Sequence, residues 1–361
     1  MNYLLLAFLA HMVEEEEEAE RQQQRRLKSR KRKREPNEEE KISDEQFLQQ
    51  YRITKMVFQE IMDLIDEDIT APTRTAKIQV MTLLRVLAEG SSWKIIDQGD
   101  SCRFDLARMM LEILPILEFH LCPKFIKWPQ GPMVRKRIRE GFLSKWSVPS
   151  TLGIIDCTQV QLEKPSEEFH LYLNKNNVHS LNVSLICDNN GRFMAVDASH
   201  PGATGDAEIW SNSDERRFME KIYDEDDEKC WLLADRSYPL EPWLISPYRV
   251  KTPNAIEFNQ KFDKARSVMT RSIALLKSRW QILLYKDPTL SFLPEHMTRI
   301  VNVCVALHNM CILRNVPDVK IDPASRVKDD VVFDELNSLL PDALSLRDEG
   351  ALNRELLKQV L

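Results

Sequence analysis

Residues 153–160 read Gly-Ile-Ile-Asp-Cys-Thr-Gln-Val, an apolar run of strand length with one carboxylate, Asp156, at its centre. A run of that kind belongs inside an α/β sheet covered on both faces. Burying the acid is costly unless it meets a metal ion or another charge. A second apolar run, Cys230-Trp-Leu-Leu-Ala234, ends in Asp235, and between the two lies Pro201-Gly-Ala-Thr-Gly-Asp206, a turn that presents a third acid. Three acids at strand ends or turns point to a divalent-metal site. Taken singly, each also reads as a helix cap or a salt-bridge partner, and the residues alone leave that choice open.

The surrounding pattern supplies a sheet. Leu152–Leu162, Ser180–Cys187 and Arg192–Ala198 are β-rich, and Asp188-Asn-Asn-Gly191 is a hairpin signal. Ala207–Tyr223 reads as a helical crossover and Trp231–Ala234 as a buried strand. Asn259–Leu284 reads as a long helix with Phe262, Ala265, Met269, Ile273, Leu276, Trp280 and Leu283 on one stripe. Three strands, a helix, a fourth strand and a helix form the order that an RNase H-like mixed sheet requires.

Six segments, in order and spacing, resemble Harbinger-type (PIF/Harbinger) transposases and the nuclease-like proteins derived from them, members of the DDE superfamily. They are Gly153–Val160, His179-Ser-Leu-Asn182, Pro201–Asp206, Trp231-Leu-Leu-Ala-Asp-Arg-Ser-Tyr-Pro239, Arg266–Trp280 and Leu307-His-Asn309. The resemblance is strong over residues 150–315 and weak over 50–149. It implies catalytic carboxylates at Asp156 and Asp235 and metal ligation by Asp156, Asp206 and Asp235, with Mg²⁺ or Mn²⁺ as cofactor if the site is functional and none otherwise. It also implies a glutamate on the long helix, in a pattern similar to Arg-x-Val-Ile-Glu-Arg-x-Phe-Gly-x-Leu-Lys. This chain reads Arg266-Ser-Val-Met-Thr-Arg-Ser-Ile-Ala-Leu-Leu-Lys277, so the position is Thr270. A neutral hydroxyl stands where a metal wants a negative oxygen. Asp263 lies two helical turns away, roughly 10 Å, too far to substitute. Phe262 and Ala274 stand where the family has histidine and glycine.

Composition fits an intracellular globular protein: 361 residues, 43% hydrophobic and 29% charged, can bury a large core. Seven cysteines without a Cys-x-x-Cys pair argue against a disulfide framework and a zinc site. No Gly-rich phosphate loop occurs. Met1–Val13 is apolar but too short to span a bilayer and lacks a basic start, so no membrane association is expected; Met12 reads as an alternative start. Residues 1–42 then form a charged arm in which Arg30, Lys31, Arg32, Lys33 and Arg34 read as a nuclear-import signal or a nucleic-acid arm, placing the protein in the nucleus, with the cytoplasm also open.

Residues 43–149 are expected to be a helical, helix-turn-helix-like region. Phe47, Tyr51, Met56, Val57, Ile61, Leu64 and Ile65 recur at helical spacing from Asp44 to Asp68, with Ser43 placed to cap. Thr75–Ala88 and Phe104–Leu121 repeat the pattern around a loop, Gly90–Cys102, that carries Gly99-Asp100. The run Phe104–Met110 suits packing better than reading base edges. Thr73–Pro149 carries 13 Lys and Arg against 7 Asp and Glu, densest at Arg135-Lys-Arg-Ile-Arg139, in a chain whose net charge is −6. That stripe suits weak, non-specific phosphate contact or simple solvation. His179 and His308 read as hydrogen-bonded structural residues. The DDE domain is expected over 150–316 and an acidic tail over 317–361, ending in a helix, Ala351–Leu361, with Leu352, Leu356, Leu357 and Val360 on one side. That side suits a partner or its own domain equally.

Three functions follow as expectations. The first is a domesticated, catalytically weak or dead transposase-derived nuclease acting in the nucleus through DNA or protein contacts; the resemblance implies a Myb/SANT-like DNA-binding partner. The second is an active divalent-metal-dependent endonuclease using Asp156, Asp206 and Asp235. The third is an interaction scaffold with no nucleic-acid role.

Overall fold

The strand around Asp156 is the centre of the sheet. In a computed structural model that describes residues 42–69, 73–91, 106–225, 229–250, 252–284, 292–325 and 341–361, β1 (Thr151–Gln161) is buried along its length save at Asp156, Gln159 and the terminal Gln161. β2 (Ser180–Cys187) and β3 (Phe193–Pro201) follow as an antiparallel meander, and β4 (Trp231–Leu233) and β5 (Leu244–Ile245) add in parallel on the other side. The order is β3-β2-β1-β4-β5. Mixed strands flanked by helices make this an α/β, RNase H-like sheet.

Local chemistry explains the turns. The β2–β3 hairpin forms at Asp188–Gly191, where Asp188 Oδ1 accepts from Asn190 N at 2.8 Å and Arg192 N at 3.0 Å. Gly191 takes φ 78°, which a side chain would resist. Between β3 and β4 the expected single crossover is two helices, α6 (Asp206–Asn212) and α7 (Asp214–Glu225). Ser213 divides them: its extended backbone stops α6, and its Oγ accepts from Arg216 N.

The long helix, α8 (Pro253–Arg279), starts six residues before the expected Asn259, because Thr252 caps Ala255 N and Pro253 fills the first turn. Every residue of its predicted stripe is buried, including Trp280 and Leu283 just past its end. α9 (Pro294–Leu313) lies behind β3, where Asn309 Oδ1 accepts from Phe193 N at 2.8 Å and its amide donates to Phe193 O and Phe125 O.

The N-terminal helices are α1 (Asp44–Tyr51), α2 (Lys55–Ile65), α3 (Thr73–Glu89), α4 (Leu106–Phe125) and α5 (Pro132–Trp146). The single repeat expected over 44–68 is thus two helices, the second capped by Thr54. α4 packs along α9, with Glu118 bonded to Arg299 and Asn302. Residues 44–361 form one compact unit. The last helix, α10 (Pro341–Val360), lies on the β5 edge; it buries Asn353 and Leu357 while Leu352, Leu356 and Val360 face out. Leu357 therefore leaves the expected four-residue stripe and serves the chain's own core. Arg30–Arg34, Gly99-Asp100, Phe104 and Asp105 lie outside the described residues, as do the side chains of 106–110.

Candidate DDE site

Alternation along β1 decides which acids can meet. Asp156, Thr158 and Val160 share one face of the sheet, and Ile155, Cys157 and Gln159 the other. Ile154 pairs with Leu233 across the parallel β1–β4 step. Two residues further along each chain stand Asp156, still inside β1, and Asp235, two residues past the end of β4.

Each already has a partner. Asp156 Oδ2 accepts from Arg266 Nη2 of α8 at 3.1 Å, and its Oδ1 accepts from Cys157 N at 3.0 Å. Asp235 Oδ1 accepts from Ser237 N at 2.8 Å and from the Ser237 hydroxyl, which ties it to the turn after β4. Thr270 lies one helical turn beyond Arg266 and is exposed. Lys277, two turns further and buried, donates to Gln159 O at 2.8 Å. Arg266, Thr270 and Lys277 thus share the side of α8 turned to β1.

Asp206 goes elsewhere. Gln159 pairs directly with Asn182, so their side chains share the Cys157 face. Asn182 donates to Asp206 Oδ1 and to Thr204 O, each at 2.8 Å. The Pro-Gly turn closes tightly here, since a Cβ on Gly202 would meet Ser180 Oγ at 2.3 Å. Beside it, Cys157 Sγ lies 3.2 Å from Tyr238 Oη. Burial first, and then the Asp206 charge, push the Cys157 thiol well up; burial and the neighbouring thiol do the same to Tyr238. Asp206 therefore anchors a turn on the face opposite Asp156, and the three-acid set expected from the sequence is divided by the sheet.

The sequence reading missed Asn182 and Arg266 as partners of these acids, although both lie inside the motifs it singled out. His179 rests against Phe169, ring centroids 6.4 Å apart. His308 is buried against Phe193, and burial followed by the Arg279 charge lowers its pKa to about 4. A cavity of about 500 Å³, lined by Lys145, Asn190, Arg271 and His308 among others, opens on the other side of α8 and involves none of Asp156, Asp206, Asp235 or Thr270.

Residues 155–309 match the DDE superfamily endonuclease family. The chain carries a DDE superfamily endonuclease domain. It is homologous to Harbinger-derived nucleases. It is 26% identical to HARBI1 of Xenopus laevis, named as a candidate nuclease, over 85% of this chain and 90% of that protein. It is 25% identical to human HARBI1, over 75% of this chain and 78% of that protein. An ALP1-like protein of Arabidopsis thaliana is 25% identical, over 82% of this chain and 79% of its own length. No solved structure matches the chain.

DDE superfamily endonucleases generally use divalent metal ions. The donors here do not fit a two-metal centre. Among the described residues no three His, Cys, Asp or Glu side chains are grouped to hold a metal ion. Of the carboxylates considered, Asp156 is ion-paired, Asp235 accepts at Oδ1 from its own turn, and Asp206 lies on the other face.

Proposed function

We propose that this chain is a domesticated DDE protein that has lost endonuclease chemistry and acts in the nucleus through DNA or protein contacts. One observation carries the reading: position 270, the helix position of the expected glutamate, is a neutral, exposed threonine. Phosphodiester cleavage by two metals needs cations about 4 Å apart, clamped by carboxylates on both attacking and leaving oxygens. A hydroxyl at 270 removes one clamp, and Arg266 occupies another by pairing with Asp156. The relatives' names span both functional classes: HARBI1 is named as a candidate nuclease, and an Arabidopsis relative is named antagonist of like heterochromatin protein 1.

DNA contact would use the exposed cations of the helical region, Lys127, Lys136, Arg137 and Lys145. Arg135 is excluded: it is buried and donates to Gln130 O at 2.7 Å. So few cations give weak, salt-sensitive and non-specific binding, which a Myb/SANT-like partner would supplement with sequence readout. Import would rest on Arg30–Arg34, and replacing all five with alanine should abolish nuclear accumulation of a tagged protein.

The deciding experiment incubates wild type, Asp156→Ala and Thr270→Glu with supercoiled DNA and Mg²⁺ or Mn²⁺. Wild type is expected to leave the DNA intact. Nicking by wild type that Asp156→Ala abolishes would overturn the reading in favour of an active nuclease. Intact DNA together with no retention on duplex DNA at low salt would leave the protein scaffold.

A further inference from the structure

Asp156 meets a cation that this chain itself supplies. Arg266 Nη2 lies 3.1 Å from Asp156 Oδ2, and the side chains are only 16% and 20% exposed. The Arg266 Nε, on the same edge of the guanidinium as Nη2, is buried without a hydrogen-bond partner, so Asp156 is met through one nitrogen of that edge only. A poorly hydrated cation gains much from a neighbouring carboxylate, since the alternative is an uncompensated buried charge.

We propose that Arg266 is a built-in counter-cation of Asp156, closing that carboxylate to divalent metals, and that Thr270 is the reason it does so. Residues 266 and 270 are one turn apart on α8, the spacing at which opposite charges pair. A glutamate at 270 would draw the guanidinium along the helix and away from Asp156, while adding another carboxylate. Threonine makes no such claim, and Arg266 settles on Asp156 instead. The same substitution therefore withdraws a ligand and supplies a plug. This rests on the reading of the site as catalytically silent.

The test reads metal occupancy, not cleavage, so it separates from failure of the nuclease reading. The full chain is melted with and without millimolar Mn²⁺. Wild type and Arg266→Lys should show the same Tm in both. Arg266→Gln should melt lower in buffer and regain several degrees with Mn²⁺, and adding Asp156→Asn should erase that gain. Should Arg266→Gln fail to fold, Thr270→Glu, altered at an exposed position, stands in its place with the same expected gain. A Mn²⁺-dependent rise in wild type that Asp156→Asn removes would overturn the proposal. So would a folded Arg266→Gln, or its substitute, that Mn²⁺ does not stabilise.

Discussion

Arg266 of α8 and Asp156 of β1 meet at 3.1 Å, 110 positions apart in the chain, in the one place where the central strand carries a charge into the sheet. The pair makes a structural contact of what would otherwise be two costly half-buried ions. Removing one partner takes the ion pair from the other, whereas removing both leaves no half-buried charge behind.

Arg266→Ala should therefore lose about 1–3 kcal/mol of unfolding free energy, and Asp156→Ala a comparable amount. The double variant should lose less than the sum. A urea double-mutant cycle measures the coupling, and strict additivity would mean that the contact contributes nothing.

Asn309, from the last of the six motif segments, shows a polar side chain holding layers together. It is 1% exposed and satisfies Phe193 N, Phe193 O and Phe125 O at once. Asn309→Ala strands three buried backbone groups, so a loss of about 2–4 kcal/mol is expected in chemical denaturation. A loss below 1 kcal/mol would show that water replaces the amide.

Gly350 in α10 reverses a usual sign. Glycine to alanine inside a helix ordinarily stabilises by about 1 kcal/mol. Here the added Cβ would lie 2.7 Å from the Glu241 carbonyl carbon, a backbone atom that cannot swing aside. Gly350→Ala should destabilise by about 1–3 kcal/mol and expose α10 to protease. An unchanged digestion pattern would contradict the docking of this helix on the β5 edge.

These relationships also mark what the sequence could and could not disclose. The central strands were legible because burial on both faces leaves continuous apolar runs, as in β1 and β2. The stripe of α8 was legible for the same reason at helical spacing. The start of α8 was passed over because its first apolar anchors, Ala255 and Phe258, precede the stripe, although Thr252-Pro253 is itself a start signal. Ser213 was hidden inside a run whose apolar period continues across it. The pairing of Arg266 with Asp156 and of Asn182 with Asp206 could not be read, since no local pattern says which of two faces a distant side chain will reach. Asp206 groups with Asp156 and Asp235 in the sequence because the Pro201–Asp206 turn presents it and the family resemblance implies a ligand there, and only the β1–β2 register, through Asn182, places it on the other face.

His308 gives the fold a pH dependence. Burial, and then the Arg279 charge, hold its pKa at about 4, against which the Gly191 carbonyl, 3.4 Å from Nε2, and Asp318 pull upward. In the unfolded chain the ordinary value is about 6.5. Between those values the unfolded state takes up a proton that the folded state refuses, so stability rises with pH there: it is fully present above about 6.5 and is lost as the pH falls toward 4. The ceiling on this loss is about 3 kcal/mol. His308→Gln keeps a polar side chain without the titration and should flatten stability between pH 6.5 and 4, measured by urea midpoints at each pH. An equally steep fall in that variant would place the acid sensitivity in the carboxylates instead.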